Sequence, residues 1–288
     1  MKIRIGFDIA YECQLRTPIL LNLRVHPSRQ KDLITPDTIH CEPQMAITEY
    51  RDGFGNICAR AVLQPGRTRF FSEALIEDPG VPDPEVPDAE QHDVADLPSE
   101  CLVYLLGSRY CETDTLAQTA WQLFGNTPPG WARVKAICDY VHENVRFGYE
   151  LARPTKTASD VHIERGGVCR DFAHLAVTFC RCMNIPARYV TGYLGDIGVP
   201  YDPSPMDFSA WFEAYLGGRW HTFDARHNRP RIGRILMATG RDASDVAISN
   251  SFGLTTLASF RVFTDEVVED NALPTASVMT KANAAAAS

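Results

Sequence analysis

Cys169 stands directly after Gly166-Gly167-Val168 and opens an amphipathic helical pattern. Apolar residues recur at Phe172, Leu175, Ala176, Phe179 and Met183, the three-and-four spacing of a helix with one buried face. A thiol at a helix start meets unpaired backbone N–H groups and the positive end of the helix dipole. Both favour the thiolate, and the same groups could hold an oxyanion. A nucleophilic cysteine also needs a base to take its proton and an acid to orient that base. Asp224, at the end of a predicted strand, is the candidate acid; as a plain structural residue it would cap the following turn. Asp171 reads as a first-turn helix acid, where negative charge complements the dipole.

The base is harder to find. His221 alternates to the opposite face of its strand from Asp224. His174 lies five residues into the cysteine helix, away from its start, and His142 and His162 precede the cysteine with no register to place them. His227 follows Asp224 by three residues, where the strand is ending and a turn could bring it back. It is the candidate substitute base, against the plainer reading of a surface or hydrogen-bonded turn histidine. Arg229, Arg231 and Arg234 read as a solvated or ion-paired face, and Trp211 and Trp220 as core or groove walls.

Several elements must position these groups. Asn184 followed by Ile185-Pro186 stops the cysteine helix, and residues 187–193 read as a strand. Two further strands, 208–216 and 219–224, are joined by Gly217-Gly218, which favours a type I′ turn and so fixes the register. Leu216 then pairs with Arg219, Tyr215 with Trp220, Glu213 with Thr222 and Trp211 with Asp224. Ser209 falls on the Asp224 face, one diagonal step away.

Before the helix the chain changes character twice. Residues 1–76 predict a small all-β sandwich: Ile3, Ile5, Phe7, Ile9 and Tyr11 alternate, Ile19, Leu21, Leu23 and Val25 repeat the pattern, and Asp52-Gly53 signals a tight hairpin. Residues 77–98 carry no Lys or Arg and are crowded with Pro, Asp and Glu, which predicts an extended acidic linker or a loop wrapped on the surface. Residues 99–265 form a second, helix-containing domain, in which Val134, Ile137, Cys138 and Val141 mark the face of one helix. Residues 266–288 form a C-terminal tail that ends in an Ala-rich, frayed stretch.

The 288 residues are 45% apolar and 22% charged, enough for a sizeable core. A net charge of −8 argues against nucleic acid or an anionic membrane as the main partner. No apolar run approaches the roughly 20 residues of a membrane span, and the N-terminus alternates like a strand rather than a signal peptide. Nine cysteines, an odd number without a regular framework, point to reduced thiols and a cytoplasmic protein. Cys180-x-Cys182 has no second ligand pair near it, so neither a metal nor another cofactor is expected.

Three motifs in order carry a resemblance: Gly167-Val168-Cys169-Arg170-Asp171-Phe172-Ala173-His174-Leu175, then Ile185-Pro186-Ala187-Arg188-Tyr189-Val190, then Ala210-Trp211-Phe212-Glu213-Ala214-Tyr215-Leu216 with Trp220-His221-Thr222-Phe223-Asp224. The chain resembles the bacterial transglutaminase-like superfamily over roughly residues 99–230. The resemblance implies an α+β fold in which the cysteine helix packs on an antiparallel sheet, a papain-like or transglutaminase-like core preceded by the β-sandwich. It puts Cys169 in the nucleophile position and Asp224 in the carboxylate position. The family's histidine stands immediately before the Ala-Trp pair, and here that position is Ser209, too short and too weakly basic to replace it. The implied function is a cysteine enzyme attacking amide or peptide bonds of a peptide or protein substrate through an acyl-thioester, resolved by water or an amine. The alternative is a catalytically impaired domain that binds peptides or proteins. Neither oligomeric state nor substrate identity follows from the residues.

Overall fold

The computed structural model describes residues 1–203 and 206–267. In chain order the regular elements begin with six strands: β1 (Lys2–Cys13), β2 (Thr17–Leu21), β3 (His40–Glu42), β4 (Thr48–Arg51), β5 (Ile57–Leu63) and β6 (Gly66–Glu77). Helices α1 (Thr113–Phe124) and α2 (Trp131–Asn144) follow, then β7 (Arg146–Phe147), α3 (Ala158–Glu164), β8 (Gly166–Gly167) and α4 (Cys169–Cys182). The remaining strands are β9 (Ala187–Tyr193), β10 (Ser209–Leu216), β11 (Arg219–Phe223), β12 (Ile235–Gly240), β13 (Ser249–Ser251) and β14 (Thr255–Val267).

The N-terminal strands build two four-stranded antiparallel sheets, β14-β1-β6-β3 and β13-β2-β5-β4. The predicted alternation of β1 holds, since Ile3, Ile5, Phe7 and Ile9 are all buried between the sheets. One strand of each sheet comes from far along the chain. Residues 249–267, which the sequence reading placed with the second domain and the tail, complete the sandwich instead. Only Val262 and Thr264 of β14 are buried, so its own pattern carries too little apolar signal to reveal its partner. The first two residues of the expected tail, Glu266 and Val267, continue β14; residues 268–288 lie outside the described residues.

The Asp52-Gly53 turn differs from the expected two-residue hairpin. Arg51 pairs with Ile57, so five residues form the connection, and Gly55 rather than Gly53 takes the positive φ, at 86°. The Asp52 carboxylate accepts from the backbone N–H groups of Phe54 and Asn56, both at 2.9 Å, and closes the loop together with the backbone bonds Asp52 N–Asn56 O and Gly55 N–Asp52 O, both at 3.2 Å.

In the second half, α4 lies at the centre. It packs on the antiparallel sheet β11-β10-β9-β12 on one side and against α1, α2 and α3 on the other. The sequence predicts one buried face, yet every residue from Asp171 to Cys182 is buried. The polar face tolerates this because its arginine and threonine are satisfied. Arg181 donates to the carbonyls of Leu106, Ala187 and Arg241, and Thr178 donates to the His174 carbonyl at 2.7 Å. The β10–β11 hairpin forms in the predicted register, with Gly217 at φ 55° and Gly218 at φ 80° as a type I′ turn needs.

Residues 77–98 do not span open space as a linker. Ala89 reaches the core, and its carbonyl accepts from Trp131 N at 3.0 Å, while Glu90 and His92 accept from the two hairpin glycines at 2.9 and 2.8 Å. Backbone bonds, the Asp83–Arg234 ion pair and the buried Ala89 and Leu97 fix a strap whose composition alone could not build a core. The two halves also share an apolar seam. Phe208, next to Ser209, is buried between Phe7 of the sandwich, at a ring-centroid distance of 6.4 Å, and Tyr193 of β9, at 5.2 Å. The sandwich therefore anchors the segment that leads into β10. No helix among the described residues is long and apolar enough to cross a membrane.

Candidate active site

Cys169 begins α4, and Asp171 organises that beginning. The Asp171 carboxylate accepts from Val168 N at 2.9 Å and from the Arg170 guanidinium at 2.9 Å. It is fully buried behind the cysteine and serves as the helix-start acid the sequence predicts. Cys169 as a residue is partly exposed. The helix start was expected to favour the thiolate, but the surrounding protein pushes the thiol up to about 11. Loss of bulk water outweighs Arg226 and the backbone N–H groups of Ala210 and Arg170, which act the other way, and Asp207 adds to the rise. At neutral pH these surroundings keep Cys169 a thiol.

A histidine–carboxylate pair stands in the turn after β11. His227 Nδ1 lies 2.8 Å from Asp224 Oδ2. The other carboxylate oxygen accepts from the backbone N–H groups of Arg226 and His227, both at 3.0 Å, and Arg234 donates to Oδ2 at 2.8 Å. Desolvation would raise the Asp224 carboxyl, yet Arg234 and these hydrogen bonds hold it far below the ordinary carboxylate range. An ionised Asp224 selects the tautomer in which His227 Nδ1–H donates, which leaves Nε2 as an acceptor. The turn is fixed from outside as well. Asn228, at φ 51°, accepts from Lys135 and donates to Asp139 of α2, which Lys135 also pairs with.

Strand parity places the other groups as the sequence requires. The Arg234 guanidinium lies 5.0 Å from the Trp211 ring while it holds Asp224, so Asp224 sits on the Trp211 face of the hairpin. His221 points to the other face, where it is buried, packs edge-on to Trp131 and bonds the Leu216 carbonyl at 3.1 Å. His174 is buried between Tyr110 and Tyr189, and His142 bonds the Arg226 carbonyl at 2.8 Å. Ser209, at the start of β10, is buried, and its hydroxyl has no hydrogen-bond partner. Arg231 and Arg234 are not on a solvated face: both are buried, Arg231 donating to the Gly195 carbonyl at 2.8 Å and Arg234 bridging Asp83 and Asp224. The strap supplies Asp83, which is why the partner could not be seen from the local arginine cluster.

Cys169, Ser209 and His227 line one cavity of about 440 Å³, together with Asp207, Arg226 and Tyr189. Asp207 and Arg226 are residues that motif spacing misses. Asp207 shares the strand parity of Ser209 two positions on, and Arg226 precedes His227 directly, so adjacency to the candidate residues was the available signal. Enclosure by the cavity walls raises the Asp207 carboxyl, although Phe208 N donates to it at 2.6 Å. Arg226 rests 3.8 Å from the centre of the Phe147 ring. Among the described residues no three His, Cys, Asp or Glu side chains are grouped to hold a metal ion. The cavity can thus offer a thiol, an imidazole aligned by a carboxylate, and backbone N–H groups beside the sulfur.

Comparison with known proteins agrees with this arrangement of elements. Residues 117–225 match the model of the transglutaminase-like superfamily core. A solved structure described as a candidate cysteine protease from Cytophaga hutchinsonii is 30% identical, covers 94% of this chain and 92% of its own, and superposes with a TM-score of 0.81. An uncharacterised Mycobacterium leprae protein is 37% identical over 86 residues, 28% of this chain. The chain matches 30% of the length of that relative.

Proposed function

The chain belongs to the transglutaminase-like superfamily, and from that premise we propose that it is a cysteine enzyme acting on amide bonds of peptide or protein substrates. Cys169 is the nucleophile, His227 the base and Asp224 the acid that orients it. His227 Nε2 takes the thiol proton, and the sulfur attacks the substrate carbonyl. The tetrahedral oxyanion is met by backbone N–H groups beside the sulfur, those of Arg170 and Ala210. Collapse expels the amine, which leaves with the proton held by His227, and an acyl-thioester remains on Cys169. Water or an amine then attacks the thioester with His227 again as base.

The observation that carries this reading is the 2.8 Å contact of Asp224 with His227, a histidine that lines the same cavity as Cys169. On this reading His227 supplies, from the turn, the imidazole that position 209 lacks. The test is turnover of fluorescently labelled casein and of a dansyl-amine acceptor. Cys169→Ala should abolish it, and His227→Ala should lower it by about 10²- to 10⁴-fold. Unchanged turnover in Cys169→Ala would defeat the proposal.

Ser209 favours a second reading, in which the cavity binds a peptide without cleaving it. That reading predicts no turnover by the wild-type chain, a gain on Ser209→His, and no effect of His227→Ala on peptide binding. Turnover abolished by His227→Ala eliminates it.

A further inference from the structure

We propose that the cavity takes acidic substrates, and that the Arg226 guanidinium receives their carboxylate beside the amide carbonyl that Cys169 attacks. The inference rests on the reading of Cys169 as nucleophile and adds the chemistry of the group next to the scissile bond. Arg153, Arg170, Arg226 and Arg231 all line the cavity. The first two are engaged by the protein's own acids: Arg153 pairs with Asp160 and Glu164, and Arg170 with Asp171. Arg226 pairs with no carboxylate among the described residues, and its guanidinium makes no hydrogen bond to them. It lies instead 3.8 Å from the centre of the Phe147 ring, a contact that leaves its N–H donors available for the two oxygens of a carboxylate. The backbone beneath it is pinned on both sides. Arg226 N donates to Asp224 Oδ1 at 3.0 Å, and its carbonyl lies 2.8 Å from His142 Nδ1.

The fixed cation stands close to the sulfur. Of the charged groups around Cys169, Arg226 acts on the thiol most strongly, and in the direction of the thiolate. Its field also reaches Tyr149, which lines the cavity and packs edge-on to Phe147 at 5.2 Å. Arg231 presents a second unneutralised charge in the same wall. It is only 4% exposed, its guanidinium donates to the Gly195 carbonyl, and its Nε has no partner. A buried guanidinium without a counter-charge is costly to keep, and an anionic ligand supplies one. The cavity's own carboxylates do not do so by contact. Asp207 accepts from Phe208 N at 2.6 Å and Asp196 from Asp202 N at 2.8 Å, and neither forms an ion pair with Arg226 or Arg231. Enclosure raises the Asp207 carboxyl, which weakens its repulsion of an incoming anion.

Iodoacetate and iodoacetamide deliver the same carbon to sulfur and differ chiefly in charge. Their rate ratio at Cys169, read by mass spectrometry of its own peptide in the full chain, therefore cancels the thiolate fraction and reports an anion site. The wild-type ratio of iodoacetate to iodoacetamide should exceed that of Arg226→Gln by about 10-fold. Arg226→Lys should fall between them, because a point charge cannot reproduce the guanidinium fork. Arg229→Gln removes the same charge from an exposed position outside the cavity and should keep the wild-type ratio. Equal ratios in wild type and Arg226→Gln, or an equal fall in Arg229→Gln, would overturn the anion site. Should the glutamine variant not fold, protection of the wild-type chain from iodoacetamide at fixed ionic strength decides instead. Acetyl-glycyl-glutamyl-glycinamide carries a side-chain carboxylate, acetyl-triglycine a terminal one, and acetyl-triglycinamide neither. Saturable protection by at least one acid and none by the amide supports the proposal and identifies the source of the carboxylate; equal protection by all three, or by none, defeats it. Casein turnover that depends on Cys169 would in that case leave the proposed function standing, whereas a charge-dependent ratio without turnover would sink the enzyme and keep the anion site.

Discussion

His227 Nδ1 sits 2.8 Å from Asp224 Oδ2 across a three-residue turn whose backbone N–H groups bind the other carboxylate oxygen. One carboxylate therefore folds the turn and aligns the imidazole at once. Local sequence makes this pair, whereas the slot that resembles the family's histidine position depends on the register of β10. That difference explains how a serine can stand at 209 without the loss of an imidazole beside Asp224.

Asparagine at 224 tests the alignment. Asp224→Asn keeps the shape but presents an amide that can donate to Nδ1 and so favours the tautomer with the proton on Nε2. The imidazole would then offer no acceptor to the thiol. Turnover should fall by about 10⁴-fold, with KM changed far less than kcat. A variant that is folded by circular dichroism and retains more than a tenth of wild-type kcat would contradict the role of Asp224.

Arg234 links the site to the strap. It is buried and bridges Asp83, at 2.8 Å, to Asp224, also at 2.8 Å. Arg234→Met would leave the buried Asp224 carboxylate without its counter-charge and should destabilise the chain by about 3–5 kcal/mol in urea denaturation. Lysine at 234 should recover only part of that, because a point charge cannot reproduce the guanidinium fork. The same variant should become a better target for limited proteolysis within residues 77–98. In the wild type, the depressed Asp224 carboxyl contributes stability above the usual carboxylate range, and this is lost as pH falls below about 4 towards its folded value.

The parts of the fold that read directly from sequence are those with strong local signals. The Gly217-Gly218 turn fixed every observed pair of its hairpin, and the alternation of Ile3 to Ile9 located β1. What stayed hidden depends on distant partners. β14 carries two buried residues in thirteen, so nothing local announces that it closes the sheet beside β1. The strap at 77–98 has a disordered composition and is held by carbonyls and Asp83, which pattern reading does not weigh. At the site, the sequence singled out Cys169, Asp224 and the Ser209 departure as candidates, and it left His227 open because parity ends where the strand does. The helix-start argument for a thiolate gave the wrong sign, since enclosure of the sulfur exceeds the effect of nearby amides.

Asn56 tests how firmly the two halves are joined. Its amide donates to the Thr239 carbonyl and accepts from Thr239 N, both at 2.9 Å, with no exposed surface left. Asn56→Ala would strand one buried backbone donor and one acceptor of β12 and should cost about 1–3 kcal/mol for each. Asn56→Asp keeps an acceptor but loses the donor, and at neutral pH it adds a buried charge close to Asp52, so it should be no better than alanine. Both variants should show a lower urea midpoint; equal midpoints would mean that water replaces the bridge.

His174 makes stability depend on pH from inside the core. It is fully buried, and its Nε2 accepts from Ala243 N at 3.1 Å, a bond available only to the neutral ring. Burial is the main cause that lowers it from 6.5 to about 3, with Arg170 and Arg181 acting in the same direction and Asp242 opposing. The unfolded chain binds this proton near pH 6.5 and the folded chain only near 3, so stability is complete above the first value and declines as pH falls towards the second. Each unit of that interval is worth about 1.4 kcal/mol. The ring also packs at a tilt against Tyr189, which lines the cavity with Cys169, so protonation would disturb the wall of the site as well. His174→Gln supplies a neutral acceptor for Ala243 N and should flatten the loss of urea midpoint between neutral pH and about pH 4.5. If the glutamine variant loses as much stability over that interval as the wild type, the acid sensitivity arises from other groups and His174 is not its source.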